Sequence, residues 1–266
     1  MAHAWQSYDS AAATHDRVAV PSIFSAPARD LVVLMGRPAG SILDVGTGTG
    51  TAARAALEFS APGAAVIGVD PSLQMLRVAR NRGLVSVVTG GVPGLPFATH
   101  TFDAVLANFV LAHVTDYRAA LGDMVRVLRS GGRLGVTAWA AMENPYRLFW
   151  QSIADSFAGQ KAIEAAMRQA LPWEDWFTDA AHLRQAFEEA ELASVELHYA
   201  SYTTRMSIAD FLEMRETALQ ARFIRDTLPA PRWQEFKQTL SVEFYKRFKD
   251  PIEHTRDVHI AIGTAQ

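Results

Sequence analysis

The sequence predicts an α/β protein built on a mostly parallel sheet with helices on both faces. Short β-branched runs alternate with helix-length segments through the first half of the chain. The runs lie at 42–45, 66–69, 85–88, 103–107 and 133–138. They are apolar almost throughout, which is typical of strands buried on both sides. Two further strands are expected at 195–201 and 258–262.

Apolar spacing supports a helix before the fifth strand. Leu121, Met124, Val125 and Leu128 recur at i, i+3, i+4 and i+7, which is the period of one helix face. Asp116 precedes this pattern and is a candidate N-cap.

Length and composition exclude several kinds of protein. The chain has 266 residues, 49% of them hydrophobic, which is enough for one large domain with insertions. A net charge of -3 without a long run of one sign argues against a nucleic-acid partner. The absence of cysteine excludes disulfides, thiolate nucleophiles and Cys-based zinc sites, and no metal site is predicted. We expect a cytoplasmic protein, because the sequence shows neither a signal-peptide layout nor a membrane-length apolar run.

A glycine-rich turn follows the first strand in the run ILDVGTGTG, residues 42–50. Such a turn exposes backbone N–H groups and the next helix N-terminus to a ligand, because glycine has no Cβ to keep the ligand away. The dinucleotide fingerprint G-x-G-x-x-G would need a glycine at the position of Thr51. Asp44 within the motif suits a ligand with a cationic amino group better than a pyrophosphate, which it would repel.

A second acidic residue, Asp70, ends the next strand in VIGVDPS. A carboxylate at this strand end can accept hydrogen bonds from both hydroxyls of an adenosine ribose. The two aspartates and the glycines therefore favour a cationic nucleoside over NAD.

Five motifs occur in a fixed order between roughly residues 40 and 140. They are ILDVGTGTG at 42–50, VDPSLQML at 69–76, GGVPGLPF at 90–97, FDAVLANFVLAHVTD at 102–116 and RVLRSGGRLGV at 126–136. Together they resemble the class I S-adenosylmethionine-dependent methyltransferases, and within them the ubiquinone/menaquinone-type (methyltransferase type 11-like) small-molecule family. The resemblance implies a Rossmann-like sheet of five parallel strands plus an antiparallel pair, helical lid insertions, and S-adenosyl-L-methionine as cofactor.

The resemblance also implies the contacts of that cofactor. Asp44 would lie near the methionine amino group, and Gly46 and Gly48 would line the methionine part. Asp70 would bind the ribose, and Met75 would pack near the adenine.

Three further contacts are implied in the same way. Val92 would offer its backbone N–H to the adenine, Asn108 would approach the methionine end, and Tyr8 would fold over the cofactor. Gly91 departs from the family pattern, which commonly has an aspartate there for the adenine amino group. That contact must be missing, mediated by water or supplied by another group.

His113 is the candidate catalytic residue, because the resemblance places it near the sulfonium. A general base needs a substrate proton to accept and a pKa near neutrality, and the alternative role is to orient the loop. Trp150, Trp173 and Trp176 fit either the core of a helical cap or an apolar substrate pocket.

We predict one methyltransferase domain over residues 1–266, with a cofactor-binding core at 41–140. The expected lid comprises an N-terminal helical segment, residues 1–40, and two helical insertions at 141–178 and 202–252. Lid closure would shape specificity.

The predicted function is methyl transfer from S-adenosylmethionine to an O, N or C nucleophile of a small apolar or aromatic molecule. One alternative is an enzyme that retains the cofactor while it catalyses a cyclisation or rearrangement. Another is a non-catalytic protein that binds S-adenosylmethionine and acts as a partner subunit. A dehydrogenase is disfavoured by Thr51. The sequence leaves open the methyl acceptor and the choice between monomer and homodimer.

Overall fold

A seven-stranded sheet with the order β3-β2-β1-β4-β5-β7-β6 forms the centre of the protein in a computed structural model that describes residues 4–266. The strands are β1 (Ser41–Val45), β2 (Ala65–Asp70), β3 (Val87–Thr89), β4 (Phe102–Asn108), β5 (Leu128–Trp139), β6 (Ala193–Met206) and β7 (Ile252–Thr264). Strands β1 to β5 are parallel, and β7 runs antiparallel to both β5 and β6. The predicted fold class is confirmed.

Helices cover both faces of this sheet and build a separate layer beyond its carboxyl edge. The helices are α1 (Ala12–Thr14), α2 (Ser25–Leu34), α3 (Thr51–Phe59), α4 (Leu73–Asn81), α5 (Tyr117–Val127), α6 (Pro145–Ala158), α7 (Gln160–Ala170), α8 (Ala180–Glu189), α9 (Ile208–Thr217), α10 (Leu219–Thr227) and α11 (Ala230–Arg247). Asp116 caps α5 as predicted, since its side chain accepts a hydrogen bond of 3.0 Å from the Ala119 amide. None of the described helices is long and apolar enough to cross a bilayer.

The last two strands are longer than the apolar runs at 195–201 and 258–262 that predict them. Six of the fourteen residues of β6 are exposed, and its sequence carries little apolar signal beyond residue 201. Pairing with β7 extends the strand to Met206, which lies opposite Ile252. The helices of the predicted 202–252 insertion are therefore α9 to α11, because β6 and β7 take up the two ends of that range.

The third strand lies at the edge of the sheet, and its predicted position is off by two residues at its start. The run at 85–88 predicts it, but β3 begins at Val87 and Val85 is 85% exposed. An edge strand pairs on one side only, and β3 pairs with β2 alone.

Three apolar clusters hold the layers together. One packs α5 and α8 on one sheet face, and a second packs α2 and α3 on the other. A third lies among α6, α9 and α11 around Trp150, Phe211, Phe236 and Phe244. The helical layer thus has a core of its own, distinct from the sheet.

The N-terminal segment joins these two parts. Helix α1 continues through a π-helical segment, His15–Phe24, into α2. The segment is tied to β6 by a hydrogen bond of 2.6 Å from the Thr204 hydroxyl to the Ser22 carbonyl. Residues 1–3 of the predicted 1–40 segment lie outside the described residues.

The strand order places a crevice at the carboxyl end of β1. This strand lies between β2 and β4, so the connections from β1 and β4 leave in opposite directions along the sheet. Ligands of open α/β sheets bind at such a switch point, which is where the glycine turn lies.

Candidate functional site

A cavity of about 1430 Å³ opens at the carboxyl ends of the central strands. Its floor is the turn after β1, and α6, α7 and α9 contribute to its upper walls. All nine residues that the sequence predicts for the site line this cavity. They are Tyr8, Asp44, Gly46, Gly48, Asp70, Met75, Val92, Asn108 and His113. The structure therefore brings them together, while the cofactor contact assigned to each stays a prediction.

The glycine turn presents bare backbone to the cavity. Gly46 and Gly48 have φ angles of 63° and 54°, in the left-handed region that favours glycine. A Cβ on Gly46 would lie 2.7 Å from Cγ2 of Val110. The turn therefore requires glycine at Gly46 for two reasons, its backbone conformation and its close neighbour.

Asp44 lies beneath the turn and is 1% exposed. Its Oδ2 accepts hydrogen bonds from the Thr47 hydroxyl at 2.7 Å and the Ala53 amide at 2.8 Å. Its Oδ1 is buried without a hydrogen-bond partner among the described residues. Burial raises the pKa of this carboxyl to about 7. An ammonium group in the cavity would satisfy the orphaned oxygen and stabilise the carboxylate, so the site fits the amino group of a cationic cofactor.

Asp70 provides the second carboxylate, at the end of β2. Its Oδ1 accepts a hydrogen bond of 2.8 Å from the Ser72 amide, and its Oδ2 accepts one of 2.9 Å from the Gly48 amide. Burial raises its pKa above the usual value for aspartate. Each oxygen keeps acceptor capacity beyond these bonds, so the carboxylate can also accept ribose hydroxyls.

The N-terminal segment closes this part of the cavity through Tyr8. The Tyr8 ring meets the His113 ring edge to face, with 5.7 Å between centroids. The Arg222 guanidinium lies 4.1 Å above the Tyr8 ring and donates a hydrogen bond to the Ser7 carbonyl. Burial raises the pKa of Tyr8 to about 12, so the phenol stays neutral.

His113 is enclosed by protein but open to the cavity. Burial, followed by the charge of Arg222 and the neighbouring His15, lowers its pKa to about 4. The imidazole is therefore neutral at pH 7, and it is a weaker base than a histidine with a near-neutral pKa.

The two residues predicted to contact the adenine, Met75 and Val92, are apolar and line the cavity. Met75 is 3% exposed, and its amide donates to the Ser72 hydroxyl at 3.1 Å. A Cβ on Gly91 would meet nothing within 4 Å. The position that commonly holds an aspartate in the family is thus open space here.

An aromatic cluster, which the sequence did not single out, lies beyond Asn108. Phe109 has a φ of 60° and stacks on Trp139 with 3.9 Å between ring centroids. Phe24 packs its edge against Phe109 at 5.4 Å. The Phe109 amide donates to the Thr137 hydroxyl at 2.9 Å, which holds this backbone in place. Phe24, Phe109 and Trp139 all line the cavity, and we call them the aromatic box.

The tryptophans considered from sequence lie elsewhere. Trp150 is 1% exposed and packs against Phe236 in the helical layer. Trp173 donates to the Thr115 carbonyl at 3.3 Å, and Trp176 is exposed and stacks on a histidine ring. Among the described residues, the only tryptophan that lines the cavity is Trp139. No periodicity marks it, because it ends a buried strand.

Residues 43–136 match the family model described as a methyltransferase domain. This stretch begins in β1, ends in β5 and includes both aspartates and the glycine turn. The resemblance is confirmed over this stretch, which matches a methyltransferase domain and is similar to demethylmenaquinone methyltransferases.

Similar curated proteins include demethylmenaquinone methyltransferases. That of Tropheryma whipplei is 36% identical over 156 residues, which are 54% of this chain and 63% of that protein. That of Thermus thermophilus is 39% identical over 128 residues, or 44% of this chain and 58% of that protein. The chain spans less than two thirds of the length of these relatives.

Solved structures share the fold at low sequence identity. The YcgJ protein of Bacillus subtilis has a TM-score of 0.55 at 17% identity, covering 91% of this chain and 99% of that one. Phosphoethanolamine N-methyltransferase 2 of Haemonchus contortus, in complex with S-adenosyl-L-methionine, has a TM-score of 0.53 at 18% identity, covering 91% and 53%. These likenesses confirm the Rossmann-like fold.

Proposed function

We propose that the protein transfers a methyl group from S-adenosyl-L-methionine to a nucleophile of a small molecule. The proposal is carried by one observation, the orphaned Asp44 oxygen beside a glycine turn that Asp70 flanks, at the floor of the large cavity. The methyltransferase core over residues 43–136 supports it. Cofactor retention without methyl transfer and non-catalytic binding are not favoured.

The residues of the floor would hold the cofactor. Asp44 would pair with its amino group, and the backbone of Gly46 and Gly48 would let its methionine part approach closely. Asp70 would accept hydrogen bonds from its ribose. When bound, S-adenosylmethionine supplies an electrophilic methyl group.

The rest of the cavity would align the acceptor and exclude water. Alignment at near-attack distance and desolvation are the main contributions an enzyme can make to such a displacement. The aromatic box offers an apolar surface next to Asn108. His113, as a neutral imidazole at the same cavity, would accept a hydrogen bond from the acceptor rather than act as a strong base.

Lid and assembly are further proposals. The segments 1–40, 141–178 and 202–252 would close over both substrates. A cytoplasmic location, the absence of a nucleic-acid partner, and a monomeric or homodimeric state stay predictions.

Calorimetry with S-adenosylhomocysteine tests the cofactor site. We expect Asp70→Asn to weaken binding about 10- to 100-fold, because a hydrogen bond to a charged group contributes roughly 1.5–3 kcal/mol. Asp226→Asn, at an exposed position of α10, is the matched control and should bind as the wild type does. Equal affinity in Asp70→Asn and the control would refute the site.

Mass spectrometry of acceptors incubated with S-adenosylmethionine tests the reaction. Methyl transfer adds one methyl group to an acceptor and yields S-adenosylhomocysteine. Turnover of an acceptor without that added mass would instead support a cyclisation or rearrangement.

A further inference from the structure

Four arginines line the cavity, and three of them have no carboxylate within 4.0 Å among the described residues, whereas the fourth, Arg168, lies 4.0 Å from Glu164. Arg147 lies in the first turn of α6, Arg215 in the last turn of α9, and Arg256 in β7. We call them the arginine cluster. The Arg256 guanidinium carbon lies 4.0 Å from the centroid of the Trp139 ring, so the cluster borders the aromatic box.

The arginine cluster has no acidic counter-ion in direct contact. Among the described residues, no carboxylate lies within 4.0 Å of any of its guanidinium groups, whereas Arg82 pairs with Asp16 at 2.5 Å. The Nε atom of Arg215 is buried and has no hydrogen-bond partner among the described residues. The Arg215 guanidinium carbon lies 4.3 Å from the centroid of the Trp150 ring but has no anionic partner, and a buried charge without one is costly unless a ligand supplies it.

The charges of the cluster act on one another. Burial, Arg147 and Arg256 lower the pKa of Arg215 to about 9. Burial and Arg147 lower the pKa of Arg256 to about 10, with Glu174 opposing. Glu174 also lines the cavity and acts on Arg215 in the same sense. Asp257 acts on Arg256 in that sense too, so three guanidinium groups face two carboxylates.

Side-chain hydrogen bonds fix Arg215 in position. Its Nη2 donates to the Gln220 amide oxygen at 2.6 Å. The Gln220 amide nitrogen donates to Gln151, whose amide nitrogen donates to the Asp155 carboxylate at 2.6 Å. The chain of amides orients the guanidinium group without neutralising it directly, which is the arrangement of a preorganised anion site.

The charges at the two ends of the cavity therefore differ. Four acidic residues line the wall between α6 and the loop after α7, namely Asp155, Glu164, Glu174 and Asp175. Asp44 and Asp70 lie at the floor, whereas the arginine cluster lies at the far side of the aromatic box. An anion is repelled by the first end and attracted by the second.

We propose that the methyl acceptor carries an oxyanion, a carboxylate or a phosphate, which Arg147, Arg215 and Arg256 bind while its apolar body occupies the aromatic box. That the bound anion is the methyl acceptor rests on the proposed function, but the oxyanion site itself can be tested without turnover.

The test titrates S-adenosylhomocysteine-saturated protein with 1-naphthoate, 1-naphthyl phosphate and the neutral 1-naphthamide. We expect at least one of the two anions to bind 10-fold or more tightly than the amide, and the stronger of the two to identify the oxyanion. Arg215→Gln and Arg256→Gln should each weaken that anion 10-fold or more, with little change for naphthamide.

Arg205→Gln is the control, because Arg205 is an exposed arginine of β6 away from the cavity. Unchanged affinity for S-adenosylhomocysteine in the arginine variants shows that they are folded, and Arg215→Lys keeps the charge if the glutamine variant does not fold.

Three outcomes overturn the proposal: no binding of either anion at millimolar concentration, binding of naphthamide as tight as that of both anions, or undiminished anion binding in both glutamine variants. Failure of the proposed function gives a different result. In that case S-adenosylhomocysteine does not bind, while the anions still bind and still depend on the arginines.

Discussion

The two ends of the cavity are built in different ways. The floor consists of Asp44, the glycine turn and Asp70, which lie within 27 residues of sequence and on adjacent strands. The far end consists of the aromatic box and the arginine cluster, whose members come from the N-terminal segment, the ends of β4 and β5, strand β7, and helices α6 and α9. Two aspartates lie at the floor, and three arginines lie at the far end.

In the proposed function, the floor binds the cofactor and the far end binds the acceptor, so the two kinds of recognition depend on different structural features. The floor depends on backbone conformation and on strand order, which a shared fold preserves. The far end depends on how α6 and α9 pack beside the sheet, and that packing can change without disturbing the floor. We therefore expect substitutions at one end to leave binding at the other end largely intact.

Gly46→Ala should break the floor most severely. Alanine at this position must adopt a left-handed backbone conformation, and its Cβ would lie 2.7 Å from Val110, so the turn must shift. We expect a loss of S-adenosylhomocysteine affinity of about 100-fold, from roughly 1–2 kcal/mol of backbone strain together with the displaced turn. Calorimetry measures this loss.

Gly63→Ala is the matched control for that prediction. Gly63 also has a positive φ, of 85°, but its Cβ would meet nothing within 4 Å. It should lower stability by a similar strain while cofactor affinity stays unchanged. A Gly46→Ala variant that binds as tightly as this control would show that the turn is not the cofactor cradle.

Acid should lower the free energy of unfolding through His254, on which the charges of Arg256 and Arg215 at the far end act. His254 is 3% exposed, and its Nδ1 accepts a hydrogen bond of 3.1 Å from the Asn144 amide, which requires an unprotonated nitrogen. Burial, Arg256 and Arg215 lower its pKa to about 4. The unfolded chain, with a histidine pKa near 6.5, then takes up the proton first as the pH falls.

The contribution of neutral His254 to the free energy of unfolding is therefore complete above about pH 6.5. It is lost as the pH falls toward 4, by about 3 kcal/mol in all. Denaturant unfolding at a series of pH values measures it. His15 and His113 titrate in the same direction, so the comparison is with His254→Gln, which should have a shallower acid slope. Equal slopes would contradict the assignment.

Cofactor affinity should depend on the ionisation of Asp44. With a pKa of about 7 in the free protein, the carboxyl is largely protonated at pH 6 and must release its proton to pair with an ammonium group. Affinity should therefore rise roughly tenfold between pH 6 and pH 7.5, with proton release detectable in buffers of different ionisation enthalpy. Asp44→Asn should bind more weakly and lose this dependence; a pH-independent wild type would argue against the pairing.

Trp139→Leu should have the smallest of these effects and should be confined to the far end. The substitution removes the ring that stacks on Phe109 and lies under Arg256. We expect 1-naphthoate to bind about 3- to 10-fold more weakly, since aromatic and cation–π contacts each contribute roughly 0.5–1.5 kcal/mol. S-adenosylhomocysteine affinity should not change, and a loss at both ends would show that the ends are coupled.

The sequence predicts the floor well because its signals are local. Alternating strands and helices indicate the sheet, and the spacing of Asp44, the glycines and Asp70 indicates the turn. The ends of β6 and β7 escape prediction, because pairing rather than apolar pattern extends them.

The far end escapes prediction for a different reason. Arg147 and Arg256 are more than 100 positions apart in the sequence, and only tertiary packing brings both to the cavity. The left-handed backbone of Phe109, which sets its ring on Trp139, has no sequence signal either, since phenylalanine rarely adopts it. Conversely, the aromatic pattern that includes Trp150 reports the core of the helical layer.

A crystal structure of the protein with S-adenosylhomocysteine tests the assignment of both ends of the cavity most directly. We expect the ribose hydroxyls on the Asp70 carboxylate, the amino group beside Oδ1 of Asp44, and the aromatic box and arginine cluster facing the free volume next to the sulfur. Density for the nucleoside elsewhere, or a glycine turn that remains empty while a nicotinamide coenzyme occupies it in a parallel soak, would contradict this assignment.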